Sequence, residues 1–242
     1  MRNDAPNLPE HVPALPFAEQ AAPPPDDPVA ARLRGFGPLG LLAILIIVLT
    51  SVVKPLSALL VLLWAWRSHT PWREIGYVRP KSWIGSLAIG IVFGCAFKLV
   101  MKAIVMPLFG APDINPAYHY LVGNRAALPG MLFTFIVGAG FGEETVFRGY
   151  LFERLGKLFG PGTGAKVSIV LLTSAVFALG HYANLGIPGV EQAMITGLVF
   201  GTIFAVTGRI WMVMCAHAAF DLTALAIIYW NLETAVAHLV FK

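Results

Sequence analysis

From Phe36 to Trp66 the chain runs for thirty-one residues with a single charge, Lys54, followed by Pro55. Apolar runs recur at Trp83 to Met106, Leu128 to Phe152, Ala165 to Tyr182, Val190 to Thr207 and Ile210 to Trp230. Runs of this length match the thickness of a bilayer core, about 20 residues of helix at 1.5 Å each. In lipid every backbone N–H and C=O must be satisfied within the segment, so such runs dictate helices. Of the whole chain 57% is hydrophobic and only 12% charged. That is about half the charge of a soluble domain. The expected fold is therefore all-α, a polytopic transmembrane helix bundle with about six to seven membrane segments. The first run is long enough for two arrangements, one tilted helix kinked at Pro55 or a re-entrant hairpin of two short segments.

The organisation follows from where the runs stop. Residues 1–34, rich in Pro and acidic residues at their start, read as a disordered tail. Residues 35–127 carry peripheral membrane helices, 128–232 a core of membrane helices, and 233–242 a short surface tail. Arg67, Arg73, Arg79 and Lys81 mark one loop as cytoplasmic, Arg154, Lys157 and Lys166 a second, and Arg209 a third. The loops between are nearly free of Lys and Arg. A formal net charge of +4 forms no basic stripe, so a nucleic-acid partner is not expected. The two cysteines, Cys95 and Cys215, sit in apolar runs and read as core residues. Lys98 and Lys102, four apart near the outer end of their run, read as snorkelling to the interface.

Three clusters put ionisable groups inside apolar helices: Glu143-Glu144 with Arg148, His181 after Phe177, and His217 with Asp221. Each such group costs about 2.5–3.5 kcal/mol to insert, tolerable when the groups meet one another or water inside a bundle. Glu144 and Arg148 are i,i+4 and can pair on one face. Glu143 lies roughly 100° round from its neighbour on a 3.6-residue helix and is left facing another part of the interior. His217 and Asp221 are again i,i+4. The partner of His181 must come from another helix. A carboxylate and an imidazole can deprotonate water and then protonate a leaving amine. A second imidazole can stabilise an oxyanion, and Asp221 can fix that ring's tautomer. No serine or cysteine occupies a recognisable nucleophile setting. No cofactor is called for, although two histidines and a carboxylate could bind zinc once assembled. The same network could also serve a non-catalytic scaffold, immunity or chaperone protein. A proton-relay transporter is disfavoured, because such proteins are built of paired halves and no internal repeat is visible.

In order and spacing the clusters resemble the signature of the CAAX prenyl endopeptidase and bacteriocin-processing family, EExxxR, FxxxH, then HxxxN or HxxxD. Here the motifs are EETVFR at Glu143 to Arg148, FALGH at Phe177 to His181, and HAAFD at His217 to Asp221. The resemblance covers about 100 residues, from Leu128 to Trp230. It implies an intramembrane glutamate-type endopeptidase without a metal, in a multi-pass protein of the cell membrane. Glu143 and His181 would activate water, and His217 and Asp221 would stabilise the oxyanion. Glu144, Arg148 and Phe177 would support them. The substrate would be a membrane-associated peptide or lipidated protein, reaching a cavity open to the cytoplasm. Asp221 departs from the Asn of the prenyl-protein proteases and matches bacterial members of the family.

Overall fold

The computed structural model describes residues 27–241. Most of the expected N-terminal tail, residues 1–26, lies outside the described residues. Its last part does not continue as tail. Pro28–Arg34 forms helix α1, started by Pro at its first turn and by Asp27, whose carboxylate accepts from the Val29 and Ala30 amides at 3.0 and 2.9 Å. These hydrogen bonds, and the Arg67 guanidinium 2.7 Å away, hold the Asp27 carboxyl at about 2, below the ordinary carboxylate range.

Helices α2 (Pro38–Leu49) and α3 (Lys54–Arg67) settle the two arrangements open for the first run. Ile47 and Ala43 of α2 share a core with Val61 and Trp64 of α3, and the Trp64 indole donates to the Leu33 carbonyl at 3.1 Å. The chain therefore turns back on itself near Thr50–Val52 as a hairpin. Pro55 stands in the first turn of α3 rather than at a kink within one long helix.

Four helices are long and apolar enough to cross a bilayer: α4 (Trp83–Leu108), α5 (Arg125–Phe159), α7 (Tyr182–Thr207) and α8 (Ile210–Tyr229). The pair α1 and α2, bent by 57°, makes a fifth when counted as one broken span. Two shorter apolar helices are α3 and α6 (Thr163–Leu179). The described residues thus form an all-α membrane bundle. A short helix, α9 (Glu233–Ala237), follows α8.

Close approach of backbones fixes α8 in the middle. A Cβ at Gly94 of α4 would fall 2.1 Å from the Ala216 carbonyl, and one at Gly90 would fall 2.7 Å from Cys215 Cβ. Gly140 of α5 stands equally tight against Ala218, at 2.9 Å. Small residues let helices meet by van der Waals packing where lipid supplies no hydrophobic drive. The stretch with His217 is thereby held between α4 and α5. On the other side α6 packs along α7, with Gly197 facing Ser174 at 3.0 Å.

The end carrying the basic loops is locked by buried charge. Arg154 is held by Glu153 and donates to the Arg34 carbonyl at 2.8 Å, while Lys157 meets Glu153 and, at 3.4 Å, Glu74. Glu74 is fully buried in the loop before α4, and burial raises its carboxyl above the usual range. In the same loop the Tyr77 hydroxyl lies 2.8 Å from Thr145 Oγ1, tying the loop to α5. Burial pushes that phenol up to about 12.

Candidate active site

From Thr134 to Glu143 and from Thr145 to Leu151, α5 is wound with wide i→i+5 turns. Such π-helical turns change which residues share a face and recur at functional sites. Here they bear on the two adjacent glutamates. Glu144 Oε1 accepts from Arg148 at 2.8 Å, the i,i+4 pair expected from the sequence. The same oxygen lies 2.6 Å from His217 Nδ1 on α8. Glu143 Oε2 reaches the opposite nitrogen of that ring, Nε2, at 3.6 Å. Neighbouring carboxylates therefore flank one imidazole, where the sequence reading sent Glu143 to a separate part of the interior.

The structure also redistributes the anchoring roles. Asp221 Oδ2 stands 3.7 Å from His217 Nε2, beyond a direct hydrogen bond. The group that fixes the ring is Glu144, which accepts the Nδ1 proton and leaves Nε2 toward the other two carboxylates. Glu144 is wholly buried and Arg148 is 2% exposed. Neither lines the cavity described below, so this pair supports the site from behind.

His181 closes the C-terminal end of α6. Its Nδ1 lies 2.8 Å from the Phe177 carbonyl one turn back. This partner is on its own helix, not on another helix as the spacing suggested. A carbonyl can only accept, so Nδ1 carries the proton and Nε2 keeps its lone pair. The Phe177 ring sits between the two imidazoles, its centroid 4.7 Å from that of His181 and 6.1 Å from that of His217. The Arg148 guanidinium covers the Phe177 ring at 4.9 Å. The spacing of FALGH thus places an aromatic spacer, a backbone acceptor and a base in one helical turn.

Glu143, Phe177, His181, His217 and Asp221 all line one cavity of about 540 Å³. Its wall continues over Asn184, Gln192, Lys98 and Lys102 to the 111–118 loop and Glu233. These last segments lie at the end of the bundle opposite the loops carrying Arg73, Lys157 and Arg209. The sequence reading expects the cavity to open on the side of those basic loops. Among the described residues no group of three His, Cys, Asp or Glu side chains is disposed to hold a metal ion.

Sequence reasoning missed Lys98. It does not snorkel: it is 8% exposed and donates to Gln192 Oε1 at 2.8 Å. Lys102 likewise turns inward, to the Asp113 carbonyl and to Glu233 Oε1 at 3.8 Å. A signal was present. Gly90, Gly94, Lys98 and Lys102 follow one another at i+4, so the lysines share the glycine face, and that face packs inward.

Residues 125–223 match the family model of type II CAAX prenyl endopeptidases, Rce1-like. This stretch is similar to an Rce1-like domain. It runs from the start of α5 into α8 and contains all three motifs. The family is one of CAAX-type proteases, and the matched stretch lies within the membrane bundle. Neither a curated protein nor a solved structure matches the chain.

Proposed function

We propose that the protein is an intramembrane endopeptidase that hydrolyses a peptide bond in a membrane-associated substrate through a water activated by Glu143 and His181. One observation carries this reading: the cavity gathers a carboxylate, a base with its lone pair free, and a second imidazole, while the Glu144–Arg148 pair is sealed behind them. Glu143 and His181 Nε2 together take a proton from water, and the resulting hydroxide attacks the scissile carbonyl. His217, flanked by carboxylates at both nitrogens, acts as the imidazolium: Nδ1–H stays on Glu144 and Nε2–H donates to the developing oxyanion. The proton held by Glu143 and His181 then passes to the leaving amine. Glu144, at Nδ1, orients that donor, and Asp221 lies beside Nε2. Phe177 keeps the two rings apart.

The substrate is a peptide or lipidated protein already in the bilayer, since the walls are membrane helices. The protein is multi-pass in the cell membrane. The cavity extends to the end walled by the 111–118 loop.

The test is cleavage of a peptide library by purified protein in detergent. Glu143→Gln keeps the shape and removes the base, and should lower the rate by about 10²- to 10⁴-fold. Activity should persist in a strong chelator. Activity abolished by chelator and restored by zinc would overturn the metal-free mechanism. Full activity in Glu143→Gln would overturn the role of Glu143.

A further inference from the structure

The loop before α4 grips both helices joined by the Glu144–His217 hydrogen bond. At the start of α8 the Ile210 amide donates to the Gly76 carbonyl at 3.0 Å, and the Trp211 ring meets Tyr77 edge-on, their centroids 5.1 Å apart. On α5 a Cβ at Gly149 would fall 3.2 Å from the Ile75 carbonyl. Tyr77 thus sets its ring against α8 and its hydroxyl against α5.

That hydroxyl ends at the residue directly after the two glutamates. Thr145 Oγ1 gives its one proton to the Phe141 carbonyl, at 2.7 Å. The Tyr77 hydroxyl, 2.8 Å from Thr145 Oγ1, is therefore the donor in their contact. The Phe141 carbonyl accepts the Glu144 amide as well. A directed chain runs from Tyr77 through Thr145 to the Phe141 carbonyl, where the Glu144 backbone is tied in. Glu144 is also the single residue between the wide-turn stretches Thr134–Glu143 and Thr145–Leu151. Such turns replace i→i+4 hydrogen bonds with i→i+5 ones, and the chain pins a carbonyl beside their junction. Neither Tyr77 nor Thr145 is among the residues lining the cavity.

We infer that Tyr77 and Thr145 are positioning residues for the hydrolytic site, holding the wide-turn register in which Glu143 and Glu144 flank His217. The inference rests on the endopeptidase reading above and places a determinant of its rate in a loop outside the membrane helices. The chain acts behind the cavity wall, so its loss falls on kcat rather than on KM. A threonine that merely satisfies its own hydroxyl on the carbonyl one turn back would not need Tyr77.

Steady-state cleavage of one peptide is compared in the unaltered protein, Tyr77→Phe, Thr145→Val, their combination and Thr145→Ser. Tyr77→Phe and Thr145→Val should each lower kcat about three- to tenfold, the worth of one hydrogen bond in rate, with KM unchanged. The double variant should lose no more than either single one, since both cut the same chain. Thr145→Ser should keep most of the rate. Unchanged kcat in Tyr77→Phe overturns the inference, as do losses that multiply in the double variant or a loss carried by KM alone. Should Tyr77→Phe not fold, Thr145→Val against Thr145→Ser still decides. A second readout needs no turnover. In protein labelled with ¹⁵N-histidine, the Nδ1 proton of His217, bonded to Glu144 at 2.6 Å, is identified by its loss in His217→Asn. Its resonance should move in Tyr77→Phe and stay in Tyr120→Phe, whose missing hydroxyl faces Met131 instead. An unmoved resonance in Tyr77→Phe overturns the inference. A moved one in a protein that cleaves no peptide would sink the endopeptidase reading and leave the positioning of the two glutamates standing.

Discussion

At the scale of single residues, two adjacent glutamates stand in different surroundings. Glu144 is inaccessible and satisfies both Arg148 and His217 through one oxygen, whereas Glu143 faces the cavity. Removing one member of a buried, paired set leaves its partner uncompensated, at a cost of about 3–5 kcal/mol. Glu144→Gln and Arg148→Met should therefore lower the folded, monodisperse yield in detergent, and Glu143→Gln should not. Size-exclusion profiles of the three variants check this, and aggregation of Glu143→Gln alone would reverse the two roles. The Glu144–Arg148 pair was legible in the sequence because i,i+4 contacts are local. The Glu144–His217 bond was not. It joins α5 to α8, and choosing between two neighbouring carboxylates depends on the wide turns of Thr134 to Leu151. No composition rule announces such turns.

At the scale of elements, the glycines of α4 do the positioning. Gly90 and Gly94 bring α4 against the backbone of α8 at Cys215 and Ala216, the residues just before His217. A side chain at Gly94 has no flexible neighbour to displace, because its nearest atom is a backbone carbonyl at 2.1 Å. Overpacking usually costs about 1–3 kcal/mol, and here it must push α8 bodily away from α4. Gly94→Val should thus lower thermal stability and reduce peptide cleavage more than the same change at Gly130, where a Cβ meets nothing within 4 Å. Thermal unfolding and cleavage rates of the two variants side by side make the check; equal loss at both positions would refute it. The apolar runs gave the helices themselves away, since lipid leaves no other solution. They could not tell a kinked span from the α2–α3 hairpin, because both bury the same thirty-one residues. Long-range contacts such as Trp64 to Leu33 decide that choice.

For the whole molecule, the distribution of charge bears on which end faces the cytoplasm. The basic end carries Arg73, Arg79, Lys81, Lys157 and Arg209, while the cavity end carries Asp113, Glu233 and, as its basic residue between α4 and α5, Arg125. Excess Lys and Arg in short loops fixes orientation during insertion, and nothing in catalysis overrides that rule. On that rule we predict that the cavity end faces outward, where the family resemblance implies an opening to the cytoplasm. The geometry of α6 tempers how far out the site lies. Its seventeen residues span about 26 Å, short of a hydrocarbon core near 30 Å, so His181 lies within the membrane. Single cysteines should report this arrangement, in a Cys95→Ala, Cys215→Ala background. A membrane-impermeant thiol reagent applied to intact cells should label positions 114 and 187 and leave 79 and 157 untouched. Inverted vesicles should give the opposite pattern. Labelling of 79 from outside would turn the whole bundle over and return the cavity to the cytoplasm.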